Sequence, residues 1–207
     1  MKRRVMMGNR RVTILPYVKS NKSGIDTGVS VGDNIAFQID FRGYDSTNEQ
    51  AIFGSWQYDG NIYGVVFMNN RWYYGYGGYN ELSVSMPASF TSRQTILYNK
   101  SKGFYINGNK IASLGSFGNY RSYPILIFGR SVYSTGGSLT DFPQYSTACY
   151  IEFYGCKIWD KDILIRDFYP AKDFEGKICL YEAINNEFYY DINNRCLLYT
   201  SPSPRDA

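Results

Sequence analysis

The stretch Ile35-Ala36-Phe37-Gln38-Ile39-Asp40-Phe41-Arg42 decides the fold class. Large apolar residues occupy every second position, and small or polar residues fill the rest. Successive side chains of an extended strand point to opposite faces. The pattern therefore predicts a half-buried strand with Ile35, Phe37, Ile39 and Phe41 on its inner face. A helix needs apolar residues three and four apart, and no window of the chain sustains that spacing.

The same alternation recurs outward in both directions. Residues 51–56 form a second apolar run, closed by Asp59-Gly60-Asn61. Residues 63–68 and 71–76 flank Asn69-Asn70, a hairpin signal because Asn tolerates the left-handed region. Phe104-Tyr105-Ile106 and Lys110-Ile111-Ala112 around Asn107-Gly108-Asn109 make the clearest hairpin. Residues 94–98 and 125–128 are further short runs. Near the end, 150–159 and 163–168 flank Asp160-Lys161-Asp162, and 178–181 and 188–191 flank Asn185-Asn186. The alternation changes phase within 150–159, which predicts a bulge at Gly155. Residues 21–31 and 133–144 read as loops. The result is an all-β chain, a two-sheet antiparallel sandwich, with no repeat period that would indicate a propeller or solenoid.

A chain of 207 residues makes one ordinary domain, long enough to bury about 70% of the surface it exposes when unfolded. A hydrophobic fraction of 44% and a charged fraction of 19% argue against disorder. The 21 Tyr, 13 Phe and 3 Trp are many, and histidine is absent. Its absence removes Ser-His-Asp and Cys-His nucleophiles, most zinc sites and the usual neutral-pH base. The net charge of +4 is concentrated in Lys2, Arg3, Arg4, Arg10 and Arg11, so the remainder is near neutral and offers no basic groove for nucleic acid. Gly8-Asn9 interrupts the apolar residues after the first basic cluster, so residues 1–12 read as a solvated or partner-bound basic lead and not an export signal. No run reaches the ~20 apolar residues of a membrane helix. Cys149, Cys156 and Cys179 read as small buried hydrophobes, not as a disulfide framework.

Residues 196–206, CLLYTSPSPRD, resemble the translation of a transposon-based sequencing adapter. On that reading 196–207 is a library-derived tail, the jelly-roll domain spans 13–195, and the natural sequence departs from this one after Arg195.

Ser23-Gly24-Ile25-Asp26-Thr27-Gly28-Val29, Ile52-Phe53-Gly54-Ser55, residues 103–108 and 125–130, and above all 154–173 (YGCKIWDKDILIRDFYPAKD) occur in a familiar order. Together they resemble the LamG-like, concanavalin A-like jelly-roll domains of phage structural and tail-associated proteins. The resemblance covers residues 14–195 and implies a virion or tail surface module that contacts a host glycan or protein. The basic lead would then meet other virion proteins. A bacterial surface or secreted carbohydrate-binding domain is the alternative, with a divergent glycoside hydrolase behind it. Laminarinase-type relatives of this sandwich carry Glu-x-Asp-x-x-Glu, and the nearest fragment here, Gln38-Ile39-Asp40-Phe41-Arg42, lacks both glutamates. No catalytic residue and no cofactor is expected.

Sugar binding would use exposed aromatic faces with amide and acid groups beside them. In 72–80, WYYGYGGYN, parity sends Trp72, Tyr74 and Tyr76 to the core. Tyr73, Tyr79 and Asn80, with Trp56 and Tyr58 near the Asp59-Gly60 turn, are the candidate ligand-binding residues. Glu187 and Asp191 read as solvated. Asp26, Asp33, Asp45, Asp59 and Asp141 read as turn-formers, and no metal is expected.

Overall fold

The computed structural model describes residues 4–7, 10–21, 23–44, 49–57, 62–78, 82–85, 89–115, 124–129, 131–133, 149–192 and 197–199. The first strands are β1 (Arg4–Met7), β2 (Arg10–Ile14), β3 (Val18–Lys19), β4 (Ile25–Ser30) and β5 (Ile35–Gly43). Next come β6 (Gln50–Gln57), β7 (Ile62–Met68), β8 (Arg71–Gly78), β9 (Leu82–Ser85) and β10 (Arg93–Asn99). β11 (Gly103–Ile106), β12 (Asn109–Ala112), β13 (Pro124–Ile127) and β14 (Ser131–Tyr133) follow. The chain closes with β15 (Ile151–Asp160), β16 (Ile163–Lys172), β17 (Ile178–Glu182) and β18 (Glu187–Tyr189). Among the described residues there is no helix.

Two sheets stack as a jelly-roll sandwich. The larger runs β1-β2-β16-β15-β5-β10-β11-β12, with β17 and β18 added at β16 and β3 at β15. The smaller runs β4-β13-β6-β7-β8-β9, with β14 beside β6. Pairing is antiparallel except for β14 against β6. The inner face of β5 is the one the alternation predicts: Phe37, Ile39 and Phe41 are fully buried, while Arg42 is exposed.

Aromatic rings join the layers. Phe37 stacks on Phe53 at 4.5 Å, and Phe41 meets Trp72 edge-on at 6.0 Å. Phe67 lies flat on Phe90 at 4.2 Å. Truncating one such ring to Ala costs about 3–5 kcal/mol. The buried tyrosines add a polar link, because each must bond its hydroxyl. Tyr63 donates to the Ile35 carbonyl at 2.9 Å, Tyr98 to that of Gly75 and Tyr76 to that of Asp33. Trp72, Tyr74 and Tyr76 are core residues, as their parity requires.

The turns follow local chemistry. Asn69 and Asn70 take φ of 51° and 56° between β7 and β8, and Asn107 and Gly108 take 51° and 79° between β11 and β12. Gly54 and Gly64 face each other across β6 and β7. A Cβ on either would sit 2.3–2.4 Å from a carbonyl oxygen of the opposite strand, so only glycine allows this approach. Cys149, Cys156 and Cys179 are buried free thiols, and burial pushes the Cys179 thiol up to about 12. The bulge brings Cys149 and Cys156 into the same core, where unbroken alternation would have separated them.

Three expectations need correction. Residues 21–31 are not all loop: β4 lies within them, interrupted in pattern by Gly28 at φ 66°. The basic lead is not simply solvated, since β1 and β2 pair as a hairpin, and β2 joins β16 through Ile14↔Ala171. Val12 is buried in a small second core with Ala171, Cys179 and Tyr181. Asp191 is buried and accepts the Gly24 N–H at 2.8 Å, fastening the segment that follows β18 to the start of β4. Among the described residues near the end of the chain, Leu197 is only 3% exposed and joins the main core.

Candidate functional site

The outer face of the larger sheet carries a hollow made by the predicted bulge. Register shifts between Phe153 and Gly155, so Gly155 lies opposite Asp40 with no side chain to fill the space. Gln38 and Asp40 on β5, Lys157 on β15, and Asp167 and Tyr169 on β16 surround a space of about 150 Å³.

Its charges are matched to one another. Arg93 grips Asp40 through Nε at 3.0 Å and through Nη2. Asp167 accepts the Tyr169 hydroxyl at 2.8 Å, with the Lys157 ammonium 3.9 Å away. Burial raises Asp167 above the ordinary carboxylate range against the pull of Tyr169 and Lys157. Beside the hollow, buried Glu152 takes Lys19 at 3.4 Å, Arg42 at 3.1 Å and the Tyr154 hydroxyl at 2.9 Å. The Arg93 guanidinium lies 4.1 Å over the Tyr154 ring, and burial pushes the Tyr154 phenol up to about 12. Asp40 and Asp167 sit on strands separated by β15 and are offset by two residues in register, since Asp40 faces Gly155 and Asp167 faces Lys157, so their Cα atoms lie about 12 Å apart in the sheet. Retaining glycosidases hold their carboxyls at about 5–5.5 Å and inverting ones at about 6.5–9.5 Å. With Asp40 neutralised by Arg93, the pair is poorly arranged for acid–base work.

A second, wider depression lies where β16 turns into β17. Asp173 builds that turn: its Oδ1 accepts the N–H of Glu175 and of Lys177, both at 2.9 Å, and Gly176 takes φ 85°. Phe174 is thereby held at the tip, 40% exposed. On β18, Tyr189 points inward and meets Phe168 edge-on at 5.1 Å. Alternation then turns Phe188 and Tyr190 to the other side. Phe188 meets Phe174 edge-on at 5.2 Å, and Tyr190, 36% exposed, carries the Lys177 ammonium 4.6 Å over its ring.

Asp173, Phe174, Glu175, Phe188 and Tyr190 enclose about 380 Å³ of open cleft. Small-ligand sites run from about 300 to 1,000 Å³, so the cleft qualifies and the hollow does not. Burial favours the neutral Asp173 carboxyl, but the Tyr190 hydroxyl at 2.7 Å and the N–H groups of the turn outweigh it and hold Asp173 below its ordinary value. Burial and the bond to Asp173 push the Tyr190 phenol upward.

The hairpin behind the cleft is pinned by Glu182, which is fully buried. Its Oε1 accepts the N–H of Asp167 and of Ile184, and its Oε2 accepts the Asn185 N–H and side-chain amide, all at 2.8–2.9 Å. A buried carboxylate with four donors is a rigid anchor.

Of the residues expected from sequence, Tyr73 and Trp56 lie on strands of the other sheet. Tyr73 is half-buried on β8, in register with Val66 and Ser83, with the paired glycines Gly64 and Gly75 in the neighbouring register. Trp56 is on β6, in register with Ile62 and Val132, and its side chain is outside the described residues, as are Tyr58, Tyr79 and Asn80. The structure thus brings neither Tyr73 nor Trp56 to the cleft. Phe174, Phe188 and Tyr190 were not singled out from sequence, although an aromatic inside Asp173-Phe174-Glu175-Gly176 is a ring placed in a turn. Among the described residues no group of three or more His, Cys, Asp or Glu is placed to hold a metal ion. No described helix is long and apolar enough to cross a membrane. No protein-family model and no curated protein matches the chain.

Proposed function

We propose that this protein is a non-catalytic binding module of a phage virion or tail, and that it contacts a host-surface saccharide through the cleft at the β16–β17 turn. The observation that carries this reading is the conjunction of two solvent-facing rings, Phe174 and Tyr190, with a carboxylate held ionised between them. A ring presents a rigid apolar face to the C–H side of a pyranose, while Asp173, Glu175 and Lys177 offer partners to its hydroxyls. Phage assignment rests on the LamG-like resemblance. The β1–β2 hairpin is the element through which other virion proteins would be met.

The test is a glycan array probed with the full chain. Binding that is lost in Tyr190→Ala and Phe174→Ala but kept in Gly155→Ala supports the cleft. An array without any binding would move the reading to a purely structural decoration role. Release of reducing sugar from a polysaccharide panel, abolished by Asp167→Asn, would overturn the non-catalytic assignment.

A further inference from the structure

The shortest strand of the larger sheet, β3, has its two edges filled by different kinds of neighbour. One edge belongs to the body of the fold: Val18 pairs with Phe153 and Lys19 with Glu152. The following residue continues the attachment, since Ser20 N–H donates to the Ile151 carbonyl at 2.9 Å and Ser20 Oγ donates to that of Cys149 at 2.7 Å. The other edge is occupied by residues 197–199. Lys19 N–H donates to the Leu198 carbonyl at 2.7 Å, and Leu198 N–H donates to the Lys19 carbonyl at 2.9 Å, the reciprocal pair of an antiparallel bridge.

The side chains on this segment alternate as a strand requires. Leu197 is 3% exposed in the main core, and Leu198 is 45% exposed. Tyr199 is half-buried, with its ring 5.6 Å from that of Tyr17 and the Lys172 ammonium 5.7 Å over it. Main-chain bonds therefore hold the segment, and two side-chain sites, one aliphatic and one aromatic, choose it. The complementary surface is the seat formed by β3, Tyr17 and Lys172.

We infer that the outer edge of β3 is a strand-addition site for an extended peptide with a large aliphatic residue, any residue, then an aromatic residue. Residues 197–199 are its resident occupant, exchangeable for such a segment presented by a neighbouring chain. This inference is independent of the cleft and of any saccharide.

The experiment uses the full chain carrying Leu197→Asp, which puts a charge where the core expects an aliphatic group. A fluorescein-labelled peptide, Ser-Leu-Leu-Tyr-Thr-Ser-Pro, is titrated against it and against the unaltered protein. Amide hydrogen exchange at Lys19 is followed in parallel. The expected result is saturable peptide binding by the variant, at least about tenfold weaker binding by the unaltered protein, and Lys19 exchange that accelerates in the variant and slows again with peptide. A peptide N-methylated at its second Leu, the position of Leu198, loses the N–H that donates to Lys19 and should bind at least about tenfold more weakly. Leu197→Ala serves as a milder second variant, read by the same exchange at Lys19. Unchanged Lys19 protection in both variants, or equal binding of the N-methylated peptide, overturns the inference.

Discussion

The hollow at Gly155 and the cleft at Asp173 are built from the same kinds of side chain, carboxylates, tyrosines and lysines, yet they differ in how their acids are held and how much ring surface they leave open. In the hollow every acid has its own cation or hydroxyl within the sheet: Asp40 with Arg93, Asp167 with Tyr169 and Lys157, Glu152 with Lys19 and Arg42. In the cleft a turn lifts Phe174 off the sheet, and Asp173 is held by the N–H groups of its own short loop and by the Tyr190 hydroxyl. Flat sheet surface lets long side chains reach their neighbours and neutralise one another. A protruding turn leaves Phe174 and Tyr190 partly exposed, because Phe188 and Lys177 cover only part of each ring. On the proposed reading the binding surface is made at the turn, and the sheet face stabilises the scaffold.

The largest test of that contrast is Glu182→Ala, which removes the anchor under the cleft and leaves buried N–H groups without an acceptor. Unfolding free energy from urea titration should fall by about 3 kcal/mol, and saccharide binding should weaken with it. Equal stability in the variant would mean that the hairpin needs no anchor. Tyr190→Ala comes next. It should cut saccharide affinity about tenfold, or about 1.4 kcal/mol, while stability shifts by less than about 1 kcal/mol, because the ring is only partly buried. A loss of stability as large as the loss of binding would recast Tyr190 as a packing residue.

Gly155→Ala should do little. A Cβ there meets only the Phe168 carbonyl oxygen at 3.4 Å, so the stability change should stay within about 1 kcal/mol and binding should not alter. Weakened binding would move the site to the hollow.

The smallest effect separates the two acids by pH. Asp173 has its folded pKa lowered, so it contributes stability at neutral pH that disappears as pH falls through that lowered value. Asp167 has its folded pKa raised, so its contribution has the opposite sign, and protonating it on the way down from neutrality favours the fold. Carboxyl NMR titration should place the Asp167 midpoint above that of Asp173. Tyr190→Phe should move Asp173 upward toward the ordinary value and leave Asp167 alone. The reverse order of midpoints would sink the account of both sites.

Much of the fold was legible in sequence because strand alternation is a local property. Ile35 to Phe41 announced their inner face, Gly155 its bulge, and Asn69-Asn70 and Asn107-Gly108 their turns. β4 escaped notice because Asp26, Thr27 and Gly28 read as turn residues. Buried Thr27 instead bonds the Ile125 carbonyl across to β13, a partner about a hundred residues away in the chain. The cleft escaped for a related reason. Phe174, Phe188 and Tyr190 gain meaning only when two turns of the chain converge, whereas Tyr73 and Tyr79 drew attention by crowding together in sequence. Crowding along a strand sends alternate rings into the core, and Trp72, Tyr74 and Tyr76 went there.

β16 has one consequence beyond architecture. Its first half is laddered to β15, and its second half is laddered to β17 and, through Ala171 and Lys172, to β2. The cleft sits directly at its end. A pull applied at the 173–177 turn along the strand axis would load the neighbours of β16 in shear, so that many hydrogen bonds must yield together instead of unzipping singly.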